Sequence, residues 1–343
     1  MPNDFSNLDF TSLWNGREKV SKIEKSIIME FIGGRRPTNI LEVGCGEGRL
    51  LDELKKVSDK LYAVDLETKF LEKIHLSHSD ILTIKADINS LPFRKGYFDV
   101  IIMVRVLNFL QNMKETIENL SGYLKSGGIL IISFYQLPSI AYFLDRFYTL
   151  DADPSESVNE KRGSSRVRRS NFVEFFYAKS MIKQAASSAG LTITDLDSTG
   201  LGDYIPFKWL DIPAIRIIEK LTAPLSFPPH IFAVLQNSSF RPPVGQEGPF
   251  ECKACGKIFP GYPSENDIIS CSCGSALVNK NGIITYKENK ARVSEEESDF
   301  KTYMGQFQRF FIRLVPWNRG IGNLDSGCFE AQFYYYHEFM EIQ

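Results

Sequence analysis

The stretch "ILEVGCGEGRL", residues 40–50, places three glycines at every second position directly after a run of branched apolar residues. A buried strand followed by a glycine turn and a helix is typical of a ligand crevice at the carboxyl edge of a parallel sheet. Glycine suits such a turn because a backbone without Cβ can bend sharply and lie against a ligand. The stretch therefore predicts an α/β fold with a binding loop, followed by a helix that begins near Arg49.

Composition narrows the class of protein. The chain has 343 residues, of which 43% are hydrophobic and 24% are charged, and its formal net charge is -2. These values are typical of a globular protein and give no overall attraction to nucleic acid or anionic membranes. The first thirty residues lack the zones of a secretory signal, and no apolar run approaches the ~18 residues that span a bilayer. We therefore expect a cytoplasmic protein with no transmembrane segment.

Apolar runs of strand length recur along the chain, and helical patterns separate most of them, which favours a parallel sheet with crossover helices. After Ser133 the regularity lapses for about 45 residues. The predicted strands are "NILEV" (39–43), "LYAVD" (61–65), "ILTIKAD" (81–87), "FDVIIMV" (98–104), "GILIIS" (128–133), "LTITDL" (191–196) and "HIFAVLQNS" (230–238).

Two acidic residues end the strands that follow the glycine loop. Asp65 comes 21 residues after Gly44, where a carboxylate can accept both hydroxyls of a ribose. Asp87 ends the next strand, where it could accept from an adenine amine. Dehydrogenases also use glycine turns, but with the spacing G-x-G-x-x-G. The set predicts a pocket for an adenosine with a short polar tail, and the alternative is that these acids only cap helices.

Four segments of the chain resemble the successive motifs of class I S-adenosylmethionine-dependent methyltransferases. They are similar above all to the type 11 group, which includes the quinone-biosynthesis C-methyltransferases. The resemblance covers residues 17–240 and implies a Rossmann-like, seven-stranded, mostly parallel sheet with helices on both faces and an antiparallel last strand. It also implies S-adenosylmethionine as the methyl donor. The segments are "ILEVGCGEGRL", "LYAVDLE", "ADINSLPFRKGYFDVIIMVRVLNFL" and "LKSGGILIIS".

The resemblance assigns a role to each matching position. The methionine part of the donor would lie against the glycine loop, the ribose against the second strand, the adenine against the third, and the transferred methyl near the end of the fourth. Cys45 is expected to be a small residue in a tight place, not a nucleophile. The implied cofactor-binding residues are Glu42, Gly44, Cys45, Gly46, Asp65, Leu66, Asp87, Ile88 and Val104.

The acceptor side gives no defined catalytic residue. The candidates are Arg105, Asn108 and Tyr135. Many relatives have His where this chain has Asn108, and because Asn cannot act as a general base, a base at that position is in doubt. None of the four histidines has ligand or triad spacing. We expect a small-molecule or lipid-like acceptor. The alternatives are an RNA substrate and a weakly active, cofactor-binding subunit of a complex.

Four cysteines form two closely spaced pairs, "CKAC" and "CSCG", with 15 residues between them. Such pairs can converge on one zinc, which would be structural because no position stays open for water. A redox or disulfide role is the alternative. The predicted ligands are Cys252, Cys255, Cys271 and Cys273.

The predicted organisation has three parts. Residues 1–240 form the methyltransferase domain, with an insert or lid at about 134–179. Residues 241–290 form a zinc-ribbon-like module, and residues 291–343 an aromatic-rich extension that could join a homodimer or a partner protein. Within the insert, the basic run 161–169 either recognises an anionic acceptor group or RNA, or is a solvated loop.

Overall fold

The structure is a computed structural model, and it describes residues 14–137, 139, 164–169, 172–203, 207–239 and 248–289. The predictions for the extension 291–343 and for the start of the basic run, 161–163, lie outside these residues. The described residues belong to one compact unit that ends at Asn289. None of the helices in this part of the chain has the length and apolar character needed to cross a bilayer.

Six helices and twelve strands are formed by the described residues. The helices are α1 Glu18–Ile32, α2 Leu51–Leu54, α3 Thr68–Ser77, α4 Met113–Tyr123, α5 Lys179–Ser188 and α6 Ile212–Thr222. The strands are β1 Asn39–Val43, β2 Lys60–Asp65, β3 Leu82–Lys85, β4 Phe98–Met103, β5 Leu124–Gln136, β6 Ser164–Arg169, β7 Phe172–Tyr177, β8 Leu191–Thr199, β9 His230–Asn237, β10 Ile268–Ser270, β11 Ala276–Lys280 and β12 Ile283–Lys287.

The centre of the sheet has the predicted seven strands, in the order β3-β2-β1-β4-β5-β9-β8. Neighbours from β3 to β5 pair in parallel, and β9 runs antiparallel to both β5 and β8. All residues of β1 are buried, and they alternate between two cores: Leu41 packs in the core on one face and Ile40 in the core on the other. The Rossmann-like α/β prediction is therefore confirmed.

One local prediction was wrong. The insert was expected to lack regular structure, but β5 extends to Gln136 and β6 and β7 form an antiparallel hairpin whose second strand pairs with the end of β5. β6 was not predicted as a strand because its own sequence is polar and basic. The apolar, β-forming residues of the hairpin belong to its partner, β7. The helix expected to begin near Arg49 is present: it begins at Leu51 and has four residues.

The cysteine-containing segment, residues 248–289, joins the same sheet. Its strands pair antiparallel in the order β10-β11-β12, and β12 pairs in parallel with β3. The register aligns Ile283 with Thr83 and Thr285 with Lys85. This segment, which we call the cysteine module, therefore extends the sheet of the predicted methyltransferase domain.

Candidate functional site

The glycine loop is fixed to the end of β2 by its backbone. The N–H groups of Gly44 and Cys45 both donate to the Val64 carbonyl, at 2.8 and 3.1 Å. Gly44 has φ 68°, and a Cβ there would lie 2.3 Å from Val106 Cγ2, so the loop packs tightly against the chain after β4. Gly46, at φ 51°, has no atom within 4 Å of a Cβ position. The loop therefore presents an open backbone surface at Gly46.

Two acidic side chains near this surface are those of Glu42 and Asp65. Asp65 Oδ2 accepts from Gly46 N at 2.9 Å and Oδ1 accepts from Glu67 N at 3.0 Å. Burial raises the pKa of Asp65. Glu42 is 5% exposed, and its Oε2 has no hydrogen-bond partner. Burial raises the pKa of Glu42 to about 8. A buried carboxyl oxygen without a partner fits the amino group of an amino-acid ligand.

Asp87 lies just beyond the end of β3. Its Oδ1 accepts from Asn89 N at 2.8 Å and so caps the short 3-10 turn Ile88–Ser90. One oxygen of this carboxylate therefore caps a turn, as the alternative interpretation of these acids predicted. Nearby on the sheet edge, Leu66 keeps 54% of its surface exposed, whereas Ile88 is 9% exposed. An exposed leucine directly after Asp65 provides an apolar surface for a flat ring.

The acceptor-side candidates come together at the ends of β4 and β5. Asn108 is 1% exposed, and its Oδ1 accepts from Tyr135 N at 3.0 Å. The Arg105 N–H donates to Ser133 Oγ at 2.8 Å, and Arg105 has the unusual φ of 59°. Val104, between β4 and Arg105, is half-buried against the core. Asn108 thereby connects the loop after β4 to β5.

A buried ionic cluster on this side was missed by the sequence analysis. Glu24 of α1 is completely buried and pairs with Arg49 at 2.7 Å and with Arg105 at 2.6 Å. Burial alone would raise the pKa of Glu24, but the two guanidinium groups hold it below its ordinary value. The Trp14 ring lies 3.9 Å from the Arg49 guanidinium. Because two cations share one carboxylate, the cluster has a net charge of +1.

His230 was also missed as a candidate. It begins β9, is 1% exposed, and has no hydrogen-bond partner on either ring nitrogen. Its Nδ1 lies 4.0 Å from Glu24 Oε1, and its ring centre lies 4.5 Å from that of Tyr135. Burial and the neighbouring arginines, Arg105 foremost, lower its pKa well below the ordinary value. The side of the site predicted to face the acceptor therefore contains a neutral imidazole.

Cys45, in contrast, is not activated as a nucleophile. Its thiol is buried, and burial together with the nearby acids Glu42 and Asp65 raises its pKa well above the ordinary value. A protonated, inaccessible thiol is a poor nucleophile. This agrees with its expected role as a small residue in a tight turn.

The four predicted metal ligands lie together in the cysteine module. All four Sγ atoms are within 4.8 Å of one another, with 3.4 Å between Cys252 and Cys273 and 3.4 Å between Cys255 and Cys271. Sulfurs at the corners of a tetrahedron around zinc would be ~3.8 Å apart, given a Zn–S distance of about 2.3 Å. These separations far exceed the ~2.05 Å of a disulfide. The donor set fits one tetrahedral ion.

A separate cleft of about 950 Å³ lies where the end of α1 meets β8 and α6. Lys179, Asp197 and Lys220 are among the side chains that line it. It includes none of the predicted cofactor or acceptor residues, so it is distinct from the site at the glycine loop.

Comparisons with known proteins agree with this geometry. Residues 41–132 match the family model described as "Methyltransferase domain". The chain is 34% identical to malonyl-[acyl-carrier protein] O-methyltransferase of Halalkalibacterium halodurans, over 37% of this chain and 49% of that protein. It is 30% identical to nodulation protein S of Azorhizobium caulinodans, over 36% and 63%. The chain thus spans about half to two thirds of the length of these curated relatives.

Among solved structures, an S-adenosylmethionine-dependent methyltransferase from Clostridium acetobutylicum is similar with a TM-score of 0.46 at 16% identity. That similarity covers 67% of this chain and 98% of the other. The family match spans β1 to β5 and includes the glycine loop, Asp65 and Asp87. Residues 41–132 are therefore similar to a methyltransferase domain.

Proposed function

We propose that this protein transfers a methyl group from S-adenosylmethionine to a small-molecule or lipid-like acceptor by in-line displacement. One observation carries the proposal: the open backbone at Gly46, the Asp65 carboxylate and the unpartnered Glu42 oxygen adjoin at the ends of β1 and β2. This combination suits a ligand with an amino-acid end and a ribose. The family match to residues 41–132 supports the same donor.

In this proposal each side chain has a definite task. Glu42 accepts from the ammonium group of the donor, and Asp65 accepts from the ribose hydroxyls with the lone pairs that Gly46 and Glu67 leave free. Asp87, with the apolar surfaces of Leu66 and Ile88, holds the adenine. When bound, S-adenosylmethionine supplies a methyl group on a sulfonium. The protein contributes mainly alignment of donor and acceptor.

The acceptor side favours a small, anionic molecule. The excess positive charge of the Glu24 cluster, shared by Arg49 and Arg105, can attract a carboxylate or phosphate. The neutral imidazole of His230 and the phenol of Tyr135 place two polar groups next to each other in this buried region. Arg105, Asn108 and Tyr135 remain the proposed acceptor-side residues.

An RNA acceptor is less well supported. The cysteine module, residues 248–289, has four lysines, four acidic residues and no arginine. A surface that captures RNA needs a basic patch, because neutralised phosphates provide most of the affinity. Co-purifying RNA, or binding to RNA that falls steeply with salt, would reverse this ranking.

We propose a structural role for zinc. With all four cysteines engaged, the ion has no open coordination position for catalysis. The four sulfurs lie within 4.8 Å of one another, close enough to bind one ion as thiolates. We also propose that the protein works in the cytoplasm, where a reducing environment keeps these thiols free.

Calorimetric titration with S-adenosylhomocysteine tests the donor site. Asp65→Ala should weaken binding about 10- to 150-fold, the effect of losing a hydrogen bond to a charged group worth about 1.5–3 kcal/mol. Asp80→Ala is the matched control, because Asp80 is an exposed acid that pairs with Lys55. Equal affinity of the two variants would refute the assignment.

The acceptor is identified with labelled donor. Purified protein and labelled S-adenosylmethionine are added to an extract of cells that lack this protein, and the fraction that gains label is isolated. Label in a low-molecular-weight or lipid fraction supports the proposal. Label confined to RNA would support the alternative acceptor. No transfer, despite tight donor binding, would indicate a cofactor-binding subunit.

A further inference from the structure

The segment that would hold the adenine has little regular structure of its own. Residues 87–94, here called the adenine-side segment, contain one 3-10 turn and then an extended stretch. Helix α4 supports one side: Asn119 Nδ2 donates to the Ile88 carbonyl at 3.0 Å, and Tyr123 Oη donates to the Leu91 carbonyl at 3.1 Å. Its conformation therefore depends on neighbouring elements.

The cysteine module supplies further support to this segment. Arg94 N donates to the Pro249 carbonyl at 2.9 Å, and Glu251 N donates to the Pro92 carbonyl at 3.0 Å. Between these bonds, the Phe93 and Phe250 rings stack with centroids 5.2 Å apart. Phe250 is completely buried. A short antiparallel pairing thus joins the two segments.

Lys253 brings the module closest to the predicted adenine site. Its ammonium group donates to Ser90 Oγ and is close enough to Asp87 to be attracted by that carboxylate. Lys253 lies between two predicted metal ligands, Cys252 and Cys255. The loop that would hold the metal is therefore the same loop that contacts the adenine-side segment.

The module also completes the strand that leads to Asp87. β12 pairs with β3 over three residues, and Thr83 Oγ1 donates to the Gly282 carbonyl at 2.9 Å. Leu277 and Ile284 of the module are buried in the same core as Tyr62 of β2. Without the module, β3 would be the edge strand of the sheet, paired only with β2, and part of this core would be exposed to water.

Metal binding would determine whether this support exists. The module has about 40 residues and three short strands, a size at which folding usually depends on a metal or on disulfides. Its first cysteine loop closes through Cys252 N to the Lys257 carbonyl at 2.8 Å and Gly256 N to the Cys252 carbonyl at 2.7 Å. An ion bound by the four sulfurs would fix this loop and, with it, Glu251 and Lys253.

We propose that the cysteine module is part of the cofactor-binding site: a metal ion on its four cysteines holds the adenine-side segment in place through residues 249–253. Metal binding and cofactor binding then strengthen each other. The inference rests on the proposed function, because it needs both the donor site and the metal site. Without the metal, cofactor binding must itself order residues 87–94, which lowers affinity. Couplings of this kind typically change affinity about 5- to 150-fold.

The test uses the full-length chain, loaded with zinc or depleted by a chelator. Titration calorimetry should show S-adenosylhomocysteine binding at least about fivefold more tightly to the zinc-loaded protein. Coupling is reciprocal, so S-adenosylhomocysteine should raise zinc affinity by the same factor in competition with a chromophoric chelator. Hydrogen exchange of residues 87–94 should be faster in the depleted protein.

A pair of lysine variants tests the contact while leaving the metal ligands intact. Lys253→Met removes the contact with Ser90. Lys257→Met is the matched control, because Lys257 donates to Ser272 within the module at 2.7 Å. Both variants should bind one zinc. Only Lys253→Met should weaken S-adenosylhomocysteine binding, by severalfold, and speed exchange in residues 87–94.

The outcomes separate the inference from the proposed function. A zinc-loaded chain that binds no S-adenosylhomocysteine overturns the proposed function and this inference with it. A chain that binds no zinc overturns this inference and the proposed structural zinc, but leaves the proposed methyl transfer standing. Binding of both with equal cofactor affinity in the loaded and depleted chains overturns the inference alone. If depletion causes aggregation, the lysine pair decides: equal affinity of Lys253→Met and Lys257→Met refutes the contact.

Discussion

Glu24→Gln should destabilise the fold strongly, although it changes only one charge and almost no volume. Glu24 is completely buried, and its carboxylate is the counterion for both Arg49 and Arg105. Without that carboxylate, two guanidinium groups face each other with little access to water. Burial, together with the like charge of Arg105, lowers the pKa of Arg49, whereas Glu24 raises it.

The expected magnitude follows from breaking a buried ion pair. Removing one partner of such a pair costs about 3–5 kcal/mol. The guanidinium side chains keep 21% and 17% of their surface exposed, so the lower end of that range applies. A loss of about 3 kcal/mol corresponds to a decrease in Tm of roughly 6–12 °C for a domain of this size. The matched control is Glu30→Gln, an exposed glutamate on the same helix.

The pH dependence gives a second readout. Because the arginines hold the pKa of Glu24 below its unfolded value, its stabilisation is complete at neutral pH and is lost as pH falls through the folded-state pKa. The difference between wild type and Glu24→Gln should therefore shrink below about pH 4. Denaturant unfolding followed by circular dichroism, at pH 7 and at low pH, measures both effects. Equal unfolding free energies for Glu24→Gln and Glu30→Gln at pH 7 would refute this reasoning.

Three further predictions concern the loop and the module. Gly44→Ala should abolish S-adenosylhomocysteine binding in calorimetry. The new Cβ would lie 2.3 Å from Val106 Cγ2, and the residue would have to keep a positive φ. Retained affinity would contradict the tight packing of the loop. Cys45 should resist iodoacetamide in the native protein at pH 8, because burial raises its pKa; mass spectrometry showing rapid modification would disprove its burial. Phe250→Ala should lower the free energy of unfolding by about 3–5 kcal/mol in denaturant titration, because Phe250 is completely buried. Tyr262→Ala should lower it little, because Tyr262 is 52% exposed. Equal losses would show that Phe250 is not a core residue.

The strands of the central sheet could be predicted from the sequence because burial on both faces leaves a continuous apolar run. β1 is such a strand, with all five residues buried. β6 could not be predicted in this way, since its strand state depends on pairing with β7, which in turn pairs with β5. β6 itself lacks an apolar pattern, and β5 is distant from β7 in the sequence. Tertiary context, more than local propensity, decides such strands.

The same distinction applies to the site. Glu42, Asp65 and Asp87 could be predicted because they lie at or just beyond the ends of apolar strands, at the carboxyl edge of the sheet. The helical spacing of Glu24 also indicates that it is buried. It lies four residues after Val20 and four before Ile28, on the buried face of α1. An acid at such a position requires buried partners of opposite charge.

Lys253 had no such signal, because its contact with Ser90 arises from pairing between segments about 160 residues apart. The sequence predicted the metal site from the spacing of its cysteines, but the docking of the module on β3 depends on which edge of the sheet is free. No local pattern in either segment encodes that choice.

The location of these residues explains why the family match leaves the acceptor undefined. The match covers residues 41–132, which contain the glycine loop and the acids proposed to hold the donor. Glu24 and Tyr135 lie outside that span, as does His230, yet these three surround Arg105 at the proposed acceptor side. Lys253, at the adenine side, lies outside it as well. Choice of acceptor, and control of donor affinity, should therefore depend on parts of this chain beyond the shared domain.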